Sequence, residues 1–197
     1  MYDLDNFPLE KLLHRKQRYI IEISKELDIN VKGVKHASFT NTCFEKAELL
    51  KWPSERIVKS IFLSDQDKMY GFIFPELGSS FSPQHINPKN LSRILEITKS
   101  QSKKFGRLSC PKSMELGTCS PFVLSNSFNE SNNGKSVSKL FFHDMPDLAK
   151  EIVDVSIGGI GEEAHKTSIH LPYEGIYSIL AFKFGDKISK CNLFEKV

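Results

Sequence analysis

Lys59 interrupts the run Ile57-Val58-Lys59-Ser60-Ile61-Phe62-Leu63, which is otherwise almost wholly apolar. A lysine in a strand of that composition must snorkel to water, sit on an outward face or enter a cleft. The second candidate is Gly117-Thr118-Cys119-Ser120-Pro121, small polar residues bracketed by glycine and proline. Successive backbone N–H groups in such a turn can cradle an anion or a developing oxyanion. A plain tight connection would use the same residues. Cys119 and Ser120 are nucleophile types, but no histidine-plus-acid pattern accompanies them. Gly158-Gly159-Ile160-Gly161 follows a strand as a phosphate loop does. It fits neither G-x-G-x-x-G nor the P-loop, and it runs into Glu162 and Glu163. His165 and His170 have no convincing third ligand nearby, so no metal is expected. His143-Asp144 ends an apolar strand, where a polar turn competes with acid–base chemistry.

Charge adds a local signal. The 27 basic and 24 acidic residues nearly balance, which is too mild to argue for nucleic-acid binding. Yet Lys99, Lys103, Lys104, Arg107 and Lys112 lie between Ile97 and Met114 with no acid among them. Such a run is either a solvated face or a surface for a phosphate backbone. No apolar stretch approaches ~18 residues, so no membrane helix is expected. The acidic start, Met1-Tyr2-Asp3-Leu4-Asp5, lacks the apolar core of a signal peptide, and a cytoplasmic location is expected. Cys43, Cys110, Cys119 and Cys191 form no C-x-x-C pair. Reduced thiols are the expectation, although a hyperthermophile's cytoplasm would permit pairing.

The elements that must hold these residues follow from periodicity. Phe7 to Leu27 reads as one amphipathic helix, with Leu9, Leu12, Leu13, Ile20, Ile23 and Leu27 near helical spacing. Asn30 to Ser38 contains a short strand. Thr42-Cys43-Phe44-Glu45 matches a capping box for a helix that ends at Trp52-Pro53. The strand of Lys59 turns at 64–67 and returns over Lys68 to Phe74 as a hairpin. Asn87-Pro88 opens another helix, and Pro111 to Leu116 makes one turn. Strands are expected at Pro121–Leu124, Lys139–Phe142, Ile152–Ile157, Thr167–Leu171 and Ile188–Phe194, with a helix over Pro172–Leu180. Ser125 to Ser138, polar and serine-rich, reads as a loop or a wide hairpin connection. These elements predict an α+β fold with a mixed sheet. The organisation expected is a helical extension over 1–30 and one domain over 31–197.

Taken in order, these motifs resemble the YbaK/prolyl-tRNA-synthetase-associated family of free-standing aminoacyl-tRNA editing proteins. The stretch from Cys43 to Arg56-Ile57-Val58-Lys59-Ser60-Ile61-Phe62 is similar to that family's helix and lysine-bearing strand. Gly117-Thr118-Cys119-Ser120-Pro121-Phe122 resembles its glycine-to-Ser-Pro loop, with Thr118 where a second glycine is usual. Phe141-Phe142-His143-Asp144-Met145-Pro146 resembles its strand-to-Asp turn. Asp154-Val155-Ser156-Ile157-Gly158-Gly159 and Thr167-Ser168-Ile169-His170-Leu171-Pro172 resemble its last strands and closing helix. The likeness spans about Val34 to Leu180.

The resemblance implies a mixed, partly barrel-like β-sheet flanked by helices. It implies hydrolysis of the ester joining a wrong small amino acid to tRNA. Lys59 would face the active cleft, and Gly117, Thr118, Cys119 and Ser120 would supply catalytic backbone donors. His36, Pro121, Asp144, Ser156 and Gly158 would line the substrate pocket. Lys99, Lys103, Lys104 and Arg107 would touch tRNA phosphates. Neither cofactor nor metal is implied. A monomer is expected, with mischarged aminoacyl-tRNA as partner and an aminoacyl-tRNA synthetase as a further one. Two other functions fit the same fold: a non-catalytic RNA-binding or interaction module, and a hydrolase of small free esters or thioesters.

Overall fold

A computed structural model of the chain describes residues 5–40, 42–64, 68–77, 88–105, 107–111, 114–115, 117–123 and 136–194. The cap expected at Asn87, the turn at 65–67 and most of the polar loop, 124–135, lie outside the described residues.

The hairpin forms as two apolar runs on either side of a polar turn predict. Strand β3 (Ile57–Ser64) pairs antiparallel with β4 (Lys68–Pro75), Lys59 standing opposite Phe74. Apolar residues on both faces of β3 require cover on both sides. Val58 and Phe62 join one core with Ile73, Phe142, Val155 and Ile169. Ile61 and Leu63 join a second with Phe72, Phe74, Leu91 and Phe105. The first core is closed by α2 (Tyr19–Glu26) and α6 (Tyr173–Phe184), through Ile20, Ile23, Ile176 and Ile179. The second lies under α4 (Pro88–Ile94) and Phe105, which follows the short helix α5 (Lys99–Ser102).

Nine described strands form one mixed sheet. Beyond β3 and β4 they are β1 (Asp5–Phe7), β2 (Lys32–Lys35), β5 (Arg107–Ser109), β6 (Ser136–His143), β7 (Ile152–Ser156), β8 (Thr167–Pro172) and β9 (Ile188–Cys191). Their order is β1-β2-β8-β7-β3-β4-β6-β9, with β5 attached to β3. Parallel pairings occur at β3–β7, β4–β6 and β6–β9. The edge of β3 opposite β4 is shared. Ile57 and Val58 pair with β7, whereas Phe62 to Ser64 pair with β5. Between them, residues 59–61 have a strand neighbour on one side only among the described residues.

Four local expectations need correction. The helix over Phe7–Leu27 is broken into α1 (Leu9–Leu12), a 3-10 turn at Arg15–Gln17 and α2. His14 breaks it by accepting from the Lys16 N–H, while the Gln17 side chain accepts the His14 N–H. The segment 1–30 is also not purely helical, because β1 extends the sheet by pairing Asp5 with Lys35. Pro121–Val123 is not a strand. Gln17 Nε2 donates to Phe122 O (2.9 Å) and Ile157 O (2.7 Å), taking the place of a ladder. Ser136–Ser138 is strand rather than loop, with Val137 opposite Met69 before a bulge at Met69/Tyr70.

Gly71 shows how tightly the sheet's middle is built. It stands across from Phe62 on one side and Leu140 on the other. A Cβ there would lie 2.5 Å from Leu140 Cδ2 and 2.8 Å from Phe62 Cε1. Gly71→Ala is expected to cost about 1–3 kcal/mol by overpacking, read as a lower urea midpoint at unchanged slope.

Candidate active site

The open edge of β3 faces a cavity of about 250 Å³. Its floor is Ile57 to Phe62. One wall is the start of α3 (Cys43–Leu50) with Thr40, Thr42, Cys43 and Lys46, and the opposite wall is Ser109, Gly117, Cys119 and Ser156. Helix α3 begins here because Thr42 and Glu45 complete a reciprocal cap, Thr42 Oγ1 accepting from Glu45 N at 3.1 Å.

Lys59 lines this cavity and is not an outward surface lysine. Its Nζ lies 2.5 Å from Glu76 Oε2 and 5.2 Å from the centre of the Phe74 ring. Glu76 is fixed in turn by its N–H, which donates to Ile57 O. Ser60 Oγ is buried at the cavity floor and has no partner among the described residues.

The 117–121 segment is anchored from below. Gly117 adopts φ +95°, which suits glycine. Thr118 is fully buried, and its hydroxyl bonds Gly159 O (2.7 Å) and Glu115 O (3.1 Å). Ser156 Oγ donates to Thr118 O and accepts from Gly158 N, which ties the two glycine turns together. Two donors of the segment are already used: Thr118 N–H on Glu115 O, and Ser120 N–H on Met114 Sδ. Among the described residues, no bond engages the N–H of Gly117 or Cys119, both of which line the cavity.

Sequence reading missed Lys46 and the group beneath it. Asp154 is fully buried. Its Oδ1 takes Lys46 Nζ at 2.8 Å. Its Oδ2 takes the Ser168 hydroxyl and His170 Nε2 at 3.1 Å, with His36 Nε2 at 3.4 Å. His36 Nε2 is also 2.7 Å from Ser168 Oγ. Burial alone would raise the Asp154 carboxyl, but the Lys46 charge and the two imidazoles hold it well below the usual carboxylate range. A signal was present: Cys43, Lys46, Ala47 and Leu50 share one face of a helix, and a lysine there sits among apolar positions.

The expected residues therefore divide. Lys59, Gly117, Cys119 and Ser156 meet at the cavity. Thr118, Ser120 and Pro121 are buried behind its wall. His36 lies in the Asp154 group, off the cavity lining. Gly158 lines a neighbouring hollow with Gln17 and Ala164. Asp144 is at the β6–β9 end of the sheet, half-exposed and 3.7 Å from Lys190. Lys99, Lys103 and Lys104 are exposed on and after α5. Arg107 lies in β5, and its side chain is outside the described residues.

The remaining motifs are engaged internally. The Gly161 N–H donates to Glu115 Oε1 (2.9 Å), and His165 Nε2 lies 3.1 Å from the same oxygen. The glycine turn thus already holds a carboxylate of its own chain. Among the described residues, no group of three His, Cys, Asp or Glu side chains is arranged to hold a metal. Among them, too, no helix is long and apolar enough to cross a membrane.

No protein-family model and no curated protein matches the chain. Solved structures do. A proposed trans-editing enzyme for prolyl-tRNA synthetase superposes with a TM-score of 0.56 at 14% identity, covering 93% of this chain and 99% of that one. A hypothetical protein, APE2540, gives 0.53 at 17% identity, over 87% and 97%. A scaffold used for epitope backbone grafting gives 0.51 at 14% identity, over 94% and 100%. The chain has the YbaK-like α+β fold: a mixed sheet with flanking helices.

Removing the Asp154 carboxylate strands a buried ammonium. Asp154→Asn is expected to lower stability at pH 7 by roughly 3–5 kcal/mol. Because the folded carboxyl lies below its unfolded value, its contribution is complete above about pH 4 and lost as pH falls through the folded value. The gap between wild-type and variant midpoints should therefore close on acidification below that pH.

Proposed function

We propose that the chain is a trans-editing deacylase, hydrolysing the ester of a mischarged small amino acid on tRNA. The observation that carries this reading is the cavity itself. In a YbaK-like fold, it joins Lys59 to the two uncommitted N–H groups of the 117–121 segment. Its volume, about 250 Å³, suits a small aminoacyl group more than a bulky one.

An aminoacyl ester is already activated, so the protein's task is to bind, orient and stabilise. The Gly117 and Cys119 N–H groups would receive the carbonyl oxygen as charge develops, an effect worth about 2.7–4 kcal/mol per donor. Lys59 would act on the carbonyl region or the terminal phosphate, oriented by Glu76. The two lysines of the cavity lining are each paired to a carboxylate, Lys46 to the buried Asp154 and Lys59 to Glu76. That balance tolerates the α-ammonium of an aminoacyl group, which two bare lysines would repel. Burial pushes the Cys43 thiol up to about 11, and the Cys110 contact together with burial raises Cys119 further while Cys110 is reduced, so neither is a ready nucleophile towards the ester. The attacking group would then be water or a group of the substrate. Ser109 leads from the cavity into β5, and the exposed lysines of the α5 segment lie just before it. Lys99, Lys103, Lys104 and Arg107 would follow the tRNA backbone from there, which makes affinity salt-dependent.

The test is hydrolysis across a panel of mischarged tRNAs. Wild-type protein should clear one or two small-residue esters, and Lys59→Ala should lower kcat/KM on the order of 10²-fold or more. Full activity in Lys59→Ala would remove the central residue. Salt-sensitive tRNA binding without hydrolysis would replace the enzyme with a binding module.

A further inference from the structure

We infer that Cys110 and Cys119 form a reversible dithiol–disulfide site at the rim of the cavity, oxidised by hydroperoxides. Their Sγ atoms are 3.0 Å apart. Cys110 leaves the end of β5, and two backbone bonds lie between it and Cys119 in the chain: Met114 N–H on Pro111 O, then Thr118 N–H on Glu115 O. The two Thr118 hydroxyl bonds fix the backbone immediately before Cys119. The thiols are thus held together before any oxidant arrives. Cys110 is half-buried beside the surface, and Cys119 lines the cavity.

The pair is asymmetric. The Cys119 thiol, as donor, lowers the Cys110 pKa, against burial and the charge of Glu115. Cys43 and Cys191 are each pushed up to about 11 by burial, so they stay protonated at neutral pH. Thiolate character decides which cysteine a peroxide oxidises. The Cys110 thiolate attacks one peroxide oxygen, the O–O bond breaks, and hydroxide leaves with a Cys110 sulfenic acid. Oxidation of Cys110 removes the thiolate contact that held the Cys119 proton, so the Cys119 sulfur then attacks the sulfenic sulfur and loses its proton, and water leaves. In sum, two thiols and one hydrogen peroxide give one disulfide and two waters. The bond removes the Cys119 thiol from Glu115 O, 3.5 Å away, and closes a covalent ring over residues 110–119, which contains Gly117.

The site does not depend on the deacylase reading, and its first readout needs no activity. Full-length protein is treated with stoichiometric hydrogen peroxide and weighed intact, then digested with trypsin without reductant. Lys112 lies between the two cysteines, so trypsin separates them unless they are bonded. The expected result is loss of two hydrogens, one linked peptide pair holding Cys110 and Cys119, and full reversal by dithiothreitol. Cys43 and Cys191 should remain free to alkylation, and Cys110→Ser should form no link. A pair that stays reduced while Cys43 or Cys191 oxidises would overturn the inference. With a hydrolysed ester in hand, oxidation should lower wild-type turnover several-fold and leave Cys110→Ser unchanged. Equal turnover of oxidised and reduced wild type would overturn the link to the cavity.

Discussion

Strand β3 must satisfy two faces and two edges at once, and one short stretch of one edge has no strand beside it among the described residues. Its faces are buried in separate cores. Its first edge is paired throughout with β4, and its second is divided between β7 and β5. Buried peptide groups require partners, so a stretch with no described strand beside it in mid-sheet persists only where it borders a cavity. The fork at residues 59–61 therefore creates the cavity and sets Lys59 at its floor. Every other wall is built to hold that fork in place. Helix α3 closes one side, while Ser156 and Thr118 lock the two glycine turns on the other. Gln17 fastens those turns from the N-terminal segment.

Charge within the fork is organised in pairs. Lys59 meets Glu76 above the Phe74 ring, and Lys46 meets the buried Asp154. A carboxylate removed from water is costly unless its lone pairs are filled. Asp154 fills them with an ammonium from α3, a hydroxyl and an imidazole from β8, and the imidazole of His36, the residue after β2. One buried acid thus links a helix to the sheet next to the cavity, and it aims Lys46 at the same wall that Cys43 lines.

The sequence was most legible where one local rule dominated. The capping box at Thr42, the hairpin of β3 and β4, and the apolar strands at β6, β7 and β8 follow from periodicity and turn chemistry. Lys59 stood out because a charge in a doubly buried strand needs a reason. Legibility failed where long-range bonds replaced local ones. Gln17 overrides the strand pattern at Pro121–Val123, and its partners are more than 100 residues away. The break at His14 depends on side-chain capping inside an apparently helical run. Asp154 read as an ordinary strand residue, because nothing local shows that Lys46, Ser168, His170 and His36 converge on it. For the same reason His36 and Asp144 look equivalent in sequence, yet they lie in different parts of the sheet.

On the deacylase reading, a substrate carbonyl would be received by the backbone at Gly117 and Cys119, with Lys59 in the same cavity. The most direct measurement is a backbone-amide NMR titration of full-length protein with a non-hydrolysable 3′-aminoacylamino-adenosine carrying a small side chain. Saturable shifts are expected to be largest at Gly117 and Cys119, with Lys59 to Ile61 following, and smaller at the already bonded Thr118 and Ser120. Shifts confined to the α5 segment, or centred on the β6–β9 end near Asp144, would contradict that reading.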